Sequence, residues 1–181
     1  MSYEKALKIA VAALAGLALG SMAACTEEAP APRGPELLAP FKKNLKEALV
    51  AGMQDGPLNA VSVCRDQAPA IAASLSVDGV EMGRASHRLR NPANVAPEWV
   101  DPVLESYVAE GADRSPVVVS LPDGREGFVE PIMLQPLCVT CHGETLAPNL
   151  AAHISEAYPQ DQATGFNVGD LRGVFWVAYP R

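Results

Sequence analysis

Leu37, Leu38, Phe41, Leu45, Leu49 and Met53 recur at helical spacing, while Lys42, Lys43, Lys46 and Glu47 take the opposite face. That pattern predicts an amphipathic helix from residue 36 to about 53. Asp55-Gly56-Pro57 ends it and opens a second helix, because proline is tolerated in a first helical turn. Along this second helix, residues 57 to about 75, Val61, Cys64, Ala68, Ile71 and Leu75 step by three and four, so Cys64 is predicted to face inward. Residues 80–89 read as extended, although Arg84 and Arg88 spoil the alternation, and Asn91-Pro92-Ala93-Asn94 is turn chemistry. Residues 97–110 read as a third helix, with Trp99, Val103 and Tyr107 four apart and Gly111 as its stop. Residues 117–121 and 126–134 flank Pro122-Asp123-Gly124-Arg125 and predict a hairpin whose second strand meets an edge or a bulge at Pro131. After a loop-rich stretch with a short helix around 150–157, Gly165, Gly169 and Asp170 announce a turn, and residues 171–179 are apolar enough for a central strand. Helices first and then antiparallel strands built from hairpins give an α+β fold.

The amino-terminal 24 residues stand outside that pattern. Lys5 and Lys8 precede an apolar run, residues 9–19, that is too short to span a bilayer, and Ser21-Met22-Ala23-Ala24 supplies small residues before Cys25. This reads as a secretory signal of the bacterial lipoprotein kind, with the mature chain beginning at a lipidated Cys25. Thr26, where an aspartate would signal inner-membrane retention, leans the location toward the outer membrane, on the periplasmic side. Residues 25–35 are proline-rich and form a flexible tether, leaving 36–181 as the folded domain. Removing residues 1–24 takes away Glu4, Lys5 and Lys8 and moves the formal charge from -7 to about -8. So acidic a surface argues against nucleic acid as a partner and leaves the lipid as the membrane contact.

The chemistry is concentrated in Cys138-Val139-Thr140-Cys141-His142. Two thiols three residues apart can each form a thioether to a haem vinyl group, and the adjacent histidine can ligate the iron, so Cys-x-x-Cys-His marks one covalent haem c. Half of a zinc site and a redox dithiol share the cysteine spacing. The other cysteines favour haem: Cys25 is the lipid site and Cys64 is left over, so no disulfide framework is expected. For the iron's sixth position the residues leave Cys64, His87, His153, a methionine such as Met133, or nothing. His87 reads as a surface side chain among arginines, His153 as the polar face of a short helix and Met133 as core filling. Arg84 and Arg90 are candidate partners of the haem propionates, since a planar guanidinium fork matches a carboxylate, whereas Arg88 reads as an ordinary solvated cation. Asp161, Asp170 and Asn94 read as loop-fixing residues.

Four blocks in order resemble a known family: Cys64 with Ala68 and Ile71; Gly83-Arg84-Ala85-Ser86 with Leu89-Arg90-Asn91-Pro92-Ala93-Asn94; Glu130-Pro131-Ile132 before residues 138–143; and residues 158–165 with Gly169-Asp170-Leu171-Arg172-Gly173. The family consists of small bacterial domains with a single c-type haem and a PAS-like fold, catalogued as a domain of unknown function. They occur alone or as the sensing part of membrane kinases and chemoreceptors. The resemblance implies a PAS-like antiparallel sheet with the N-terminal helices packed on it, and a His142/Cys64 axial pair. Ala85 and His87 depart from the family pattern.

A thiolate ligand stabilises ferric iron and lowers the potential. The expected function is therefore redox, as electron transfer or redox sensing. The alternative is a haem-based sensor of NO, CO or O2. No kinase or other output domain follows the fold in this sequence, so sensing calls for a separate signalling partner, and electron transfer for a redox partner. A peroxidase-type enzyme is least favoured, because a distal thiolate blocks the substrate position and no distal acid–base pair stands out.

Overall fold

The computed structural model describes residues 33–181; the expected signal sequence, the expected lipid site Cys25 and most of the expected tether lie outside these residues. The first helix, α1 (Gly34–Gln54), begins two residues earlier than its apolar pattern, because Pro35 falls in the first turn where its missing N–H costs nothing. The second, α2 (Pro57–Leu75), has the expected bounds and likewise starts on a proline. No helix among the described residues is long and apolar enough to cross a membrane.

The strands β1 (Glu81–Ala85), β2 (Val117–Ser120), β3 (Glu126–Met133) and β4 (Leu171–Tyr179) form one antiparallel sheet in the order β1-β4-β3-β2. The α+β fold is thus as expected, with the amino-terminal helices on the sheet. Alternate residues of one strand serve opposite faces. Phe128, Val177, Tyr179 and Met82 receive Leu38 and Phe41 of α1 on one side. Val129, Val174 and Ala85 receive Val100, together with Leu104 and Tyr107 of the helix α3 (Asp101–Val108), on the other. Both faces are therefore covered, which is why β4 is apolar at nearly every position rather than alternating. Leu38 and Phe41 are almost wholly buried, each contributing about 1.5–3 kcal/mol through burial.

Three boundaries depart from the sequence pattern for local reasons. β1 stops at Ala85 because the next residue turns the chain: Ser86 Oγ lies 2.9 and 2.8 Å from the carbonyl oxygens of Arg88 and Arg172, which share its one proton, and its N–H bonds Asn94 O. α3 is shorter than residues 97–110, with Pro102 in its first turn and Trp99 in the turn before it, where the indole packs edge-on against Trp176 at 5.9 Å. Pro131 lies in β3 beyond the stretch that β2 covers, and a register shift follows between Ile132 and Met133, so both devices expected of a strand proline are present.

Gly173 in β4 is a packing requirement. A Cβ there would stand 2.2 Å from the Ala85 carbonyl oxygen, a backbone atom that cannot swing aside. Gly173→Ala is therefore expected to destabilise the domain by about 1–3 kcal/mol, read as a lower urea midpoint, and an unchanged midpoint would refute that packing.

Candidate functional site

β3 delivers the cysteine motif directly into a tied corner. Leu134 N–H donates to Asp170 O at 3.0 Å and Gly169 N–H to Leu134 O at 2.9 Å, so the end of β3 is fastened to the turn that starts β4. The chain then makes one helical turn, α4 (Val139–His142), with Cys138 at its N-cap. His142 N–H bonds Cys138 O at 3.0 Å and Gly143 N–H bonds Val139 O at 2.9 Å. On such a turn Cys138 and Cys141 share a side, and His142 lies about 100° further round. Cys141 packs beside Val61 of α2 and the helix α5 (Pro148–Ala157), whereas Cys138 packs beside Leu134, Ala163 and Phe166.

The segment after α5 runs alongside this turn and orients the histidine. Gly165 N–H donates to Gly143 O at 2.9 Å and Phe166 N–H to His142 O at 3.0 Å. Most directly, His142 Nδ1 lies 2.7 Å from the Ala163 carbonyl. A carbonyl only accepts, so Nδ1 carries the proton and Nε2 keeps its lone pair. Burial, reinforced by Arg172 and Arg90, holds the imidazole pKa down to about 3, so the ring is neutral at pH 7. This is the state and orientation in which a histidine ligates a metal.

Arg90 holds that loop in place. Its Nε and Nη2 pair with the two carboxylate oxygens of Asp161, each at 3.1 Å, and Nη2 also donates to Cys141 O at 2.7 Å and Ala163 O at 3.1 Å. Asp161 Oδ1 accepts the Ala163 N–H as well, at 2.9 Å. These bonds commit Nε and Nη2 of Arg90, the residue expected beside a propionate, to the loop and to the cysteine motif itself, and leave Nη1 without a bond among the described residues. Asp161 fixes the loop as its sequence context implied. Both side chains are about 10% exposed, so the pair is nearly dry. Asp161→Ala leaves Arg90 uncompensated and should cost about 3 kcal/mol in chemical denaturation; a loss below about 1 kcal/mol would mean the pair is solvent-screened after all.

Arg88 also departs from its expectation as a solvated cation. Its Nε donates to Gln162 O at 2.9 Å, its Nη2 to Thr164 O, and its guanidinium stacks over Phe166 at 4.2 Å. Arg172 Nη1 donates to Ser86 Oγ and Arg88 O, while its Nε is buried with no partner among the described residues; burial first, then Arg90 and Arg84, bring its pKa down to about 10. Arg84 is also pushed down by burial and forms no ion pair among the described residues. Among the described residues, Asp161 is the single carboxylate in an ion pair with any of these four arginines. The corner carries uncompensated positive charge in an acidic chain.

Cys64 faces inward from α2, as its spacing predicted, within electrostatic reach of Arg84, Arg90, Cys138, Cys141 and Tyr158. Burial raises its thiol pKa most strongly, with Arg84 and Arg90 pulling the other way. Cys64, Cys138 and Cys141 are all free thiols. Among the described residues no three His, Cys, Asp or Glu side chains converge as a zinc site requires. Of the other candidate ligands, Met133 is partly buried against the core cluster on the α3 side of the sheet, opposite Leu171 in the strand register, and His87 is exposed, edge-on to Phe166. His153 is half-buried on α5, with Nε2 lacking a partner among the described residues. Three participants escaped the sequence reading: Ala163 through its carbonyl, Phe166 through its ring, and Tyr158, which packs next to Cys141 and beside Cys64. A backbone carbonyl has no sequence signal, but Tyr158 and Ala163 lie inside one of the blocks singled out above.

Residues 17–180 match the Tll0287-like protein family. The crystal structure of the cyanobacterial heme-protein Tll0287 is similar with a TM-score of 0.55 and 24% sequence identity, over 78% of this chain and 91% of that one, a likeness that bears on the fold. Comparison with curated proteins gives no match.

Proposed function

This chain belongs to the Tll0287-like family, and from that premise we propose that it is a haem protein of redox function: one haem c held covalently by Cys138 and Cys141, ligated by His142 and Cys64. The observation that carries the proposal is the 2.7 Å bond from His142 Nδ1 to Ala163 O, on the same turn as two unpaired cysteines. It presents a neutral imidazole with Nε2 free, as an axial ligand must be. The positive charge of Arg84 and the unpartnered Arg172 Nε give the propionates their counter-charge, the part first expected of Arg84 and Arg90. That the solved relative is a heme-protein agrees with this reading.

Bound there, haem supplies an iron that cycles between ferric and ferrous states. The chain's own contribution is the ligand set. Because burial raises the Cys64 thiol, its thiolate depends on a nearby ferric charge, and the thiol is favoured when that charge falls. A low potential follows, which suits electron transfer or redox sensing more than catalysis. Anchoring through lipid at Cys25 on the periplasmic face would put the domain beside a membrane-bound redox or signalling partner.

The same property of Cys64 supports a second reading, as a sensor of diatomic gases. Exposing the dithionite-reduced protein to CO or NO separates the two. A shifted Soret band with either gas supports sensing, and a reduced spectrum unresponsive to both leaves electron transfer.

A further inference from the structure

His87, Arg88 and Arg114 line a cleft of about 270 Å³ together with Val108, Phe166 and Asp170. It is built from the turn after β1, the end of α3 with the loop that follows, and the corner before β4. None of its three basic side chains belongs to the Cys138–His142 turn. Neither Arg88 nor Arg114 forms an ion pair with a carboxylate among the described residues, although the chain carries 21 acidic residues against 14 basic ones.

The donors are held in place from behind. Arg114 Nε is anchored on Tyr107 O at 2.8 Å, which leaves both Nη groups for another acceptor. Arg88 uses Nε and Nη2 on the loop carbonyls and lies flat on Phe166, leaving Nη1. His87 is exposed, its ring fixed edge-on to Phe166 with centroids 6.2 Å apart. Asp170 is the one carboxylate at the rim, and its Oδ2 accepts the Asn167 N–H at 2.6 Å.

The two Nη groups of Arg114, the remaining Nη1 of Arg88 and the His87 imidazole, with no acidic partner in an ion pair, are the complement of a small planar or tetrahedral anion. We propose that this cleft is a binding site for a small oxyanion from solution, of the size of phosphate or a short carboxylate. Its occupant would meet the outer edge of Arg88, whose guanidinium covers Phe166, the ring that also meets His142 edge-on with centroids 6.5 Å apart. The competing source of the same chemistry is the haem's own propionates, which would fill the cleft and leave nothing for a free ion.

The test is titration of the purified, haem-loaded protein with inorganic phosphate at pH 7 and constant ionic strength, chloride being the balancing ion. The His87 ring resonances and the melting temperature are followed together. The expected result is a saturable shift in both, with Kd of order 1 mM. Arg114→Gln and, independently, His87→Gln should each weaken it by about tenfold, while Arg125→Gln, on the distant hairpin, should leave it unchanged. His87→Gln alters an exposed ring and keeps the test alive should Arg114→Gln fold poorly. A non-saturating response no larger than that of chloride, or equal Kd values in the wild type and both cleft variants, would overturn the proposal. The first of those outcomes is also what propionates in the cleft would give.

Discussion

Cys138→Ser combined with Cys141→Ser is expected to abolish the haem stain that the wild-type chain gives after denaturing electrophoresis. A thioether survives denaturant and an axial bond does not, so the stain reports the two sulfurs alone. Each single variant keeps one link and should retain a weakened stain. The folded domain should tolerate the double change itself, because Cys138 and Cys141 are each only partly buried and serine is smaller than cysteine. What it loses is the ligand's contribution to stability, since a group bound only by the native state lowers its free energy by mass action. A lower melting temperature together with a colourless band is the full expected result. A stain of undiminished strength in the double variant would mean that the colour comes from elsewhere.

The second large effect is expected at Cys64. Cys64→Ala should convert the ferric protein from a low-spin His/thiolate spectrum to a high-spin or water-ligated one, and should raise the midpoint potential by on the order of 100 mV, a modest part of the roughly 0.8 V that axial ligands span. The direction follows from charge: removing an anionic ligand removes what favoured the ferric state. The substitution also deletes a sulfur beside Tyr158 and Cys141, so some loss of stability is expected. The discriminating readout is spectroscopic, by electron paramagnetic resonance and near-infrared bands of the ferric form. An unchanged low-spin signal would remove Cys64 from the iron and return it to the role of a small core residue. His153, with its unpartnered Nε2, would then be the next ligand to replace.

Much of the fold was legible because its pattern is periodic. The bounds of α2, the hairpin and the central place of β4 follow from spacing, proline positions and continuous apolarity. The ends of β1 and α3 were not legible, because they are set by tertiary partners. Ser86 turns the chain by bonding a carbonyl 86 residues away, and Trp99 leaves the helix register to pack on Trp176.

The site divides in the same way. A motif of five adjacent residues announces itself, and an inward-facing cysteine can be placed from a helical repeat. The parts played by Arg88 and Arg90 could not be read, since a guanidinium in an acidic sequence looks alike whether it meets a propionate, water or a backbone carbonyl. Only the placement of residues 161–166 beside α4 decides, and it commits Arg90 to Asp161 and Arg88 to Gln162 and Thr164. The residue that sets the imidazole's orientation, Ala163, acts through an atom that every residue has.

The most direct measurement is the mass of the proteolytic peptide that spans residues 138–142, taken from chain produced in cells able to attach haem. Covalent attachment predicts a peptide heavier by one haem, with neither cysteine open to alkylation under denaturing conditions. A peptide of unmodified mass with both thiols alkylated would contradict it.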